Sequence, residues 1–104
     1  MGEEKVSRLI VRTPDANSDF NEIWSYIAQD NAAAADETLD RIESQCVRIA
    51  AYPESGRDRS DLCPDLRSIS VGNYLVFYRV TPNSVEIIRV LHSARDITPK
   101  TFSR

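Results

Sequence analysis

The last third of the chain contains three consecutive β-rich segments whose connections are too short to hold a crossover helix. Two turn signals separate the segments, Gly72-Asn73 and Pro82-Asn83, and both are typical of tight turns. Strands joined by such turns are antiparallel neighbours. The sequence therefore predicts a three-stranded meander, with strands at Leu66–Val71, Asn73–Val80 and Val85–Leu91.

Two helices are predicted upstream of the meander. Thr13-Pro14-Asp15 combines a capping hydroxyl, a proline suited to the first turn and an acidic side chain. Apolar residues at helical spacing follow, which predicts a helix from Pro14 to about Gln29. Asp30-Asn31 interrupts the pattern and offers a second cap. A second apolar stripe, from Ala35 to Ile49, predicts a helix that ends at Tyr52-Pro53.

The short β-rich run Val6–Arg12 precedes the helices. The predicted fold is therefore α+β, in the order β-α-α-β-β-β, with a helical hairpin packed on one face of a small antiparallel sheet. The first strand is expected at an edge of the meander, and the second face of the sheet is expected to be more open. At 104 residues, the chain has room for a single domain, residues 1–104.

Charge is distributed unevenly along the chain. Residues 1–55 carry five Lys or Arg and eleven Asp or Glu, whereas residues 56–104 carry eight and five. Each predicted meander strand holds one arginine: Arg67, Arg79 or Arg89. Arginine is suited to bidentate contacts with carboxylates and phosphates, which suggests a functional face, although a solvated surface has the same composition. Arg79 and Arg89 have opposite parities relative to their turn, so strand alternation does not place them on one face.

Most classes of catalytic site are missing from the sequence. There is no nucleophile elbow, no phosphate-binding loop and no cluster of carboxylates spaced for a metal ion, so neither a metal nor another cofactor is predicted. The two cysteines, Cys46 and Cys63, are not spaced as a metal site. We expect Cys46 in the core and both thiols reduced, in a cytoplasmic protein. The acidic start does not resemble a secretory signal, and no apolar run has the length of a membrane span.

Five residues in the second half of the chain could together form a catalytic site. They are Arg67, Arg79, Arg89, His92 and Arg95. Arginines that bind phosphates beside a histidine that acts as acid or base are the equipment of a metal-independent ribonuclease. The same arginines could instead pair with Glu86, with Asp96 or with carboxylates of a partner. The residues alone leave an enzyme and a binding module equally open.

Motifs along nearly the whole chain carry a family resemblance. They are Thr13-Pro14 with Asp19-Phe20, Glu22-Ile23-Trp24 and Tyr26-Ile27-Ala28, then Pro53, Gly56-Arg57-Asp58-Arg59, Leu62 and Pro64, then Leu66-Arg67-Ser68, Val71-Gly72-Asn73-Tyr74-Leu75-Val76-Phe77-Tyr78-Arg79, and Arg89-Val90-Leu91-His92-Ser93-Ala94-Arg95-Asp96. In this order the chain resembles the ParE toxins of bacterial type II toxin–antitoxin systems, within the RelE/ParE superfamily. The family usually has glycine where this chain has Ser93.

The resemblance implies a fold and a function. The fold is a helical hairpin on a small antiparallel sheet, in agreement with the element order above. The function is inhibition of DNA gyrase without a catalysed reaction. The implied partner is a ParD-like antitoxin, and DNA is contacted only through gyrase or the antitoxin. Motif membership and charge select the residues expected to bind the target: Arg57, Arg59, Arg67, Arg79, Arg89 and Arg95. The residues expected to bind the antitoxin are Trp24, Tyr26, Arg79 and Arg89.

Two alternatives stay open within the superfamily. RelE-like members cut mRNA on the ribosome, which would make His92 an acid or base and Arg67 and Arg79 phosphate ligands. The chain has only two lysines, Lys5 and Lys100, and no tyrosine follows Tyr78, and these departures disfavour the nuclease. The second alternative is a degenerate toxin that keeps only antitoxin binding.

Overall fold

A computed structural model describes residues 7–103 as two helices packed on a five-stranded sheet. In chain order the elements are β1 (Leu9–Arg12), α1 (Pro14–Ala28), α2 (Ala32–Ala51), β2 (Arg57–Asp58), β3 (Arg67–Val71), β4 (Tyr74–Val80) and β5 (Ser84–His92), with 3-10 turns at Pro53–Ser55 and Pro99–Phe102. The α+β prediction is confirmed. The start of the predicted first strand, Val6, and the acidic N-terminus lie outside the described residues.

Both helices begin at the side chains that the sequence indicated. The Thr13 hydroxyl accepts a hydrogen bond from the Ala16 N–H at 3.0 Å, and the Asn31 side chain accepts one from the Ala34 N–H at 3.0 Å. These bonds satisfy amide groups that have no partner within the first turn of a helix. The predicted helical hairpin is confirmed, and Cys46 lies in its core as expected.

The sheet has the strand order β1-β5-β4-β3-β2. The predicted meander is confirmed as three antiparallel neighbours, and β1 joins its edge beside β5. The β1 strand runs parallel to β5, however, so the sheet is mixed. The intervening helices and strands supply the long connection that a parallel pair requires. The segment 54–65 before the meander, called here the connector, contributes the two-residue strand β2, which the sequence did not indicate.

The pairing of β4 with β5 contains a one-residue irregularity. Phe77 pairs with Arg89 and the next residue, Tyr78, pairs with Ile87, which leaves Ile88 as an extra residue on β5. Strict alternation along β5 would place Arg89 on the same face as Ile87. That expectation is wrong, because a bulge reverses the side-chain direction of the residues that follow it.

The two faces of the sheet are covered differently. The helices cover one face, called here the helix face, where Val76, Tyr78 and Ile87 belong to the main core. The opposite face, called the second face, is less open than the sequence suggested. Its Phe77 and Leu91 pack with residues of the connector and of the C-terminal 3-10 turn. Large apolar side chains on β4 and β5 require such cover, because their exposure to water is unfavourable.

Tyr78 ties the connector to the sheet. Its hydroxyl donates to the Pro53 carbonyl at 2.8 Å and accepts from the Gly56 N–H at 2.9 Å. The approach is so close that a Cβ atom on residue 56 would overlap the tyrosine ring. Burial is the main cause that raises the pKa of Tyr78 above its ordinary value. This tether sets the position of the connector that contains Arg57 and Arg59.

Removal of the Tyr78 hydroxyl is expected to weaken the fold. Tyr78→Phe leaves the buried Gly56 N–H without its partner, and the expected loss is about 1–3 kcal/mol in the free energy of unfolding. Urea denaturation measures it. Tyr26→Phe, at a tyrosine that is 73% exposed, is the matched control and is expected to have no effect. Equal stability of both variants would contradict the role of the tether.

The two thiols are expected to differ in reactivity and in their effect on stability. Burial raises the pKa of the Cys46 thiol from its ordinary 9.0 to about 11, whereas Cys63 is only partly buried. A thiol reagent should modify Cys63 in the native protein and Cys46 only after unfolding.

The pH dependence follows from the same shift. The stability that the protonated Cys46 thiol contributes is fully present below pH 9.0 and is lost as the pH rises towards 11. Cys46→Ala is expected to lack this part of the alkaline loss. Denaturation at a series of pH values tests both statements, and an equally steep loss in Cys46→Ala would contradict them.

Candidate functional site

The N-terminal half of α1 completes the edge of β5 where β1 is too short to do so. The pairing between these strands ends at Arg12 and Ile87. Beyond that point the Thr13 hydroxyl donates to the Ile88 carbonyl at 2.9 Å, and the Val90 N–H donates to Asp19 Oδ2 at 2.9 Å. Side chains of the helix thus replace the hydrogen bonds of an absent strand.

Asp19 also binds the guanidinium of Arg89. Arg89 Nε lies 2.7 Å from Asp19 Oδ2, and Arg89 Nη2 lies 2.9 Å from Asp19 Oδ1. The Asp19 side chain is 4% exposed and that of Arg89 is 17% exposed. The hydrogen bonds to Asp19 are the main cause that raises the pKa of Arg89 above its ordinary value. The charge of this predicted target-binding arginine is therefore compensated within the chain.

A groove of about 400 Å³ lies between α1 and the end of β5. This α1 groove is mainly apolar, with charged and aromatic groups along it. The residues relevant here are Glu22, Ile23, Tyr26, Tyr74, His92 and Arg95. Three residues with different predicted roles therefore share one surface. Tyr26 is predicted to bind the antitoxin, Arg95 is predicted to bind the target, and His92 is the acid or base of the alternative nuclease function. Concave, largely apolar surfaces with a few polar groups are typical binding sites.

His92 makes two defined contacts in the α1 groove. Its ring meets that of Tyr74 edge to face, with centroids 5.3 Å apart, and its Nδ1 accepts a hydrogen bond from the Ala94 N–H at 3.0 Å. Since Nδ1 uses its lone pair in this bond, the neutral ring carries its proton on Nε2. In this arrangement the remaining ring nitrogen is a donor, so the neutral imidazole has no lone pair free to act as a base.

Four of the six predicted target-binding arginines share the second face or its border. Arg57 and Arg89 lie on one row across the sheet, through Ser68 and Phe77. Arg79 is two residues beyond Phe77 on the same face. Arg59 holds its guanidinium over the Phe77 ring, 5.8 Å from the centroid. The bulge at Ile88 is what brings Arg79 and Arg89 to one face.

Arg79 and Arg89 line a pocket of about 240 Å³ on this face. Its wall also holds two carboxylates, those of Asp15 and Glu86. Arg79 Nη2 lies 3.5 Å from Cys63 Sγ. The pocket therefore contains charges of both signs, and it is less cationic than the arginines alone suggest.

The other predicted residues lie elsewhere. Arg67 faces the helix side, where its Nη1 donates to the Gly56 carbonyl at 2.9 Å. Arg95 is exposed in the turn that follows β5. Trp24 is 40% exposed, and its Nε1 donates to Asp36 across the helical hairpin at 2.8 Å. The predicted antitoxin-binding set is thus distributed over the α1 groove, the hairpin and the second face.

The three residues expected to be catalytic under the alternative nuclease function, His92, Arg67 and Arg79, are not brought together. His92 pairs with Tyr74, and Arg67 pairs with Tyr78 at the other end of β4, which separates them by about 13 Å along the strand. Arg79 lies on the opposite face. Within residues 7–103, no group of three His, Cys, Asp or Glu side chains is placed to hold a metal ion. No helix in this range has the length and apolar character needed to cross a bilayer.

Sequence reasoning missed the importance of Asp19, which lies off the apolar stripe of α1 yet is buried. Its partner, Arg89, is 70 residues away. A possible signal was the position of Arg89 itself, an arginine among apolar strand residues, because a buried cation requires an anion. Nothing in the sequence identifies which carboxylate supplies it.

Comparison with known proteins identifies the family. The model for "ParE toxin of type II toxin-antitoxin system, parDE" matches residues 10–97. The chain belongs to the ParE toxin family. Toxin ParE3 of Caulobacter vibrioides is 39% identical over 83 residues, which cover 79% of this chain and 83% of the relative. Toxin RelE3 of the same organism is 31% identical over 81 residues, covering 77% and 88%.

Solved structures agree on the fold. A chain of the chromosomal ParDE toxin–antitoxin system from P. aeruginosa superposes with a TM-score of 0.70 at 18% identity, covering 83% of this chain and 96% of that one. A mutant of the E. coli toxin RelE in the free state gives 0.63 at 16% identity, covering 86% of each. The predicted RelE/ParE-like fold of this ParE family member is confirmed.

Loss of the Asp19 carboxylate is expected to destabilise this ParE family member strongly. Asp19→Ala leaves the partly buried Arg89 without its hydrogen-bonded carboxylate and the buried Val90 N–H without a partner, at an expected cost of about 3–5 kcal/mol. Urea denaturation measures the loss. Glu22→Ala, at an exposed carboxylate one turn along α1, is the control and should cost little. A loss below about 1 kcal/mol for Asp19→Ala would show that other contacts hold α1 on the sheet.

Proposed function

We propose that this chain is a single-domain, cytoplasmic ParE-type toxin that inhibits DNA gyrase by binding and is neutralised by a ParD-like antitoxin. The observation that carries this proposal is the match to the ParE toxin family over residues 10–97. The exposed arginines of the second half give the toxin a surface for its target. DNA takes part only through gyrase or the antitoxin.

We propose further that the toxin catalyses no reaction. A phosphodiester cleavage site needs its acid or base and its phosphate ligands within reach of the same phosphate. His92, Arg67 and Arg79 do not meet this requirement, since they lie at different ends or on different faces of the sheet. The hydrogen bond from Ala94 to His92 Nδ1 further disfavours a role as a base.

The six predicted arginines are proposed to serve the target in two ways. Among residues 7–103, the guanidinium groups of Arg57, Arg79 and Arg95 form no ion pair with a carboxylate, and that of Arg59 pairs only with exposed Asp61 at 3.2 Å, a weak type of interaction. These four are proposed to contact the target directly. Arg67 and Arg89 are proposed to act by holding the connector and α1 in place, through Gly56 and Asp19.

Two apolar surfaces are proposed for the antitoxin. The first is the α1 groove with Tyr26, continued across the hairpin by Trp24. The second is the edge strand β1, where Leu9, Ile10 and Val11 are 71%, 40% and 44% exposed. Exposed apolar patches and open sheet edges are typical sites for an amphipathic or extended partner segment. Arg79 and Arg89 on the second face complete the proposed contact set.

The second candidate function is a ribosome-dependent mRNA interferase. It is favoured by relatives that carry the name RelE and by the place of His92 beside Arg95 in the α1 groove. In that case His92→Gln would abolish RNA cleavage.

A supercoiling assay separates these two functions. Purified, antitoxin-free protein is incubated with DNA gyrase and relaxed plasmid. We expect loss of supercoiling and, after detergent and protease treatment, linear DNA from trapped cleavage complexes. Undisturbed supercoiling at concentrations that arrest growth would contradict the gyrase proposal, and cleavage of mRNA on translating ribosomes would then support the interferase.

Substitution of the available arginines should reduce inhibition without loss of the fold. For Arg57→Ala and Arg79→Ala we expect about a tenfold higher concentration for half-inhibition of gyrase, which corresponds to about 1.4 kcal/mol for one charged contact. Arg48→Ala, at an exposed arginine of α2, is the matched control and should inhibit like the unmodified protein. Circular dichroism verifies folding. Equal inhibition by all three variants would show that Arg57 and Arg79 do not contact the target.

A further inference from the structure

Two hydrogen bonds accepted by His92 hold the turn that follows β5. The Ala94 N–H donates to His92 Nδ1 at 3.0 Å, and the Arg95 N–H donates to the His92 carbonyl at 3.0 Å. The turn also joins the sheet, because the Ser93 N–H donates to the Asn73 carbonyl at 2.8 Å. Within this frame the His92 ring sets the path of the backbone to Arg95, which lines the α1 groove.

The side-chain bond requires a neutral imidazole. A nitrogen that accepts a hydrogen bond from an amide must have a free lone pair, and protonation converts that nitrogen into a donor. Two N–H groups would then point at each other. We propose that His92 is a pH-sensitive latch, which holds the 92–95 turn and Arg95 at the α1 groove when neutral and releases them when protonated.

The charged and titratable groups around His92 favour release once its ring is charged. Arg95, in the same turn, repels a protonated imidazole, and Tyr74 of β4 packs against the ring without supplying charge. On the side of α1, the groove is lined by Glu22, Tyr26 and Asp19. Asp19 is already bound by Arg89, so Glu22 and, in the following segment, Asp96 are the carboxylates left to attract the cation.

Heteronuclear NMR on the full chain tests the latch directly, since His92 is the only histidine. Above the titration, we expect the ¹⁵N shift of Nδ1 to be that of an unprotonated nitrogen and Nε2 to carry the proton. As the pH is lowered until the ring itself takes up a proton, the Ala94 amide resonance should move upfield. Amide exchange of Ala94 and Arg95 should accelerate in the same step.

Two variants separate the latch from general effects of acid. In His92→Asn the side-chain oxygen occupies a position close to that of Nδ1 and does not titrate, so the Ala94 amide should stay hydrogen-bonded at every pH. In His92→Ala no acceptor is present, so Ala94 should resemble the released state at every pH. The proposal is overturned if Ala94 does not respond while the ring titrates, or if the neutral ring carries its proton on Nδ1. Neither outcome depends on whether the toxin binds gyrase.

Discussion

The carboxylate of Asp19 joins the helical hairpin to the sheet at the place where the sheet lacks a strand. It accepts a hydrogen bond from the Val90 N–H on the open edge of β5, and one each from Nε and Nη2 of Arg89. A four-residue β1 leaves that part of the edge uncovered, and buried backbone groups without partners are costly. One side chain therefore satisfies the amide at this edge, compensates the charge of the partly buried Arg89 and fixes the position of α1.

The position of α1 determines the rest of the proposed functional surface. One wall of the α1 groove is α1 itself, with Ile23 and Tyr26, and the other is the end of the sheet, with Tyr74 and His92. On the second face, the bulge at Ile88 directs Arg89 towards Arg79 and away from the main core. The arginines thus divide by environment. Arg89 is compensated and contributes to stability, whereas Arg57 and Arg95 remain exposed for a partner.

Much of the fold could be predicted from local signals. Thr13 and Asn31 mark helix starts because capping is a local interaction, and the turn at Gly72, whose φ is 59°, follows from the freedom of glycine. The bulge at Ile88 could not be predicted, because nothing in a run of apolar residues marks which one is extra. The contact between Asp19 and Arg89 is not local at all, and several carboxylates were equally plausible partners for the cation.

The sequence predicted which residues belong to the candidate site better than it predicted how those residues are arranged in space. The family resemblance selected residues that lie on functional-looking surfaces, such as Tyr26, His92 and Arg95 in one groove. It did not place Arg67 on the helix face or reveal that the connector and Phe102 cover the second face. These features depend on how distant segments pack, and single residues carry little information about that.

Growth arrest is the most direct measurement of whether this chain is an active toxin. The chain is expressed from an inducible promoter in bacteria, alone and together with a ParD-like antitoxin, and colony-forming units are counted over time. For an active ParE-type toxin we expect viability to fall on induction and to be preserved when the antitoxin is present. Unaltered growth, with folded protein recovered from the same cells, would contradict toxicity and leave a degenerate protein that only binds its antitoxin.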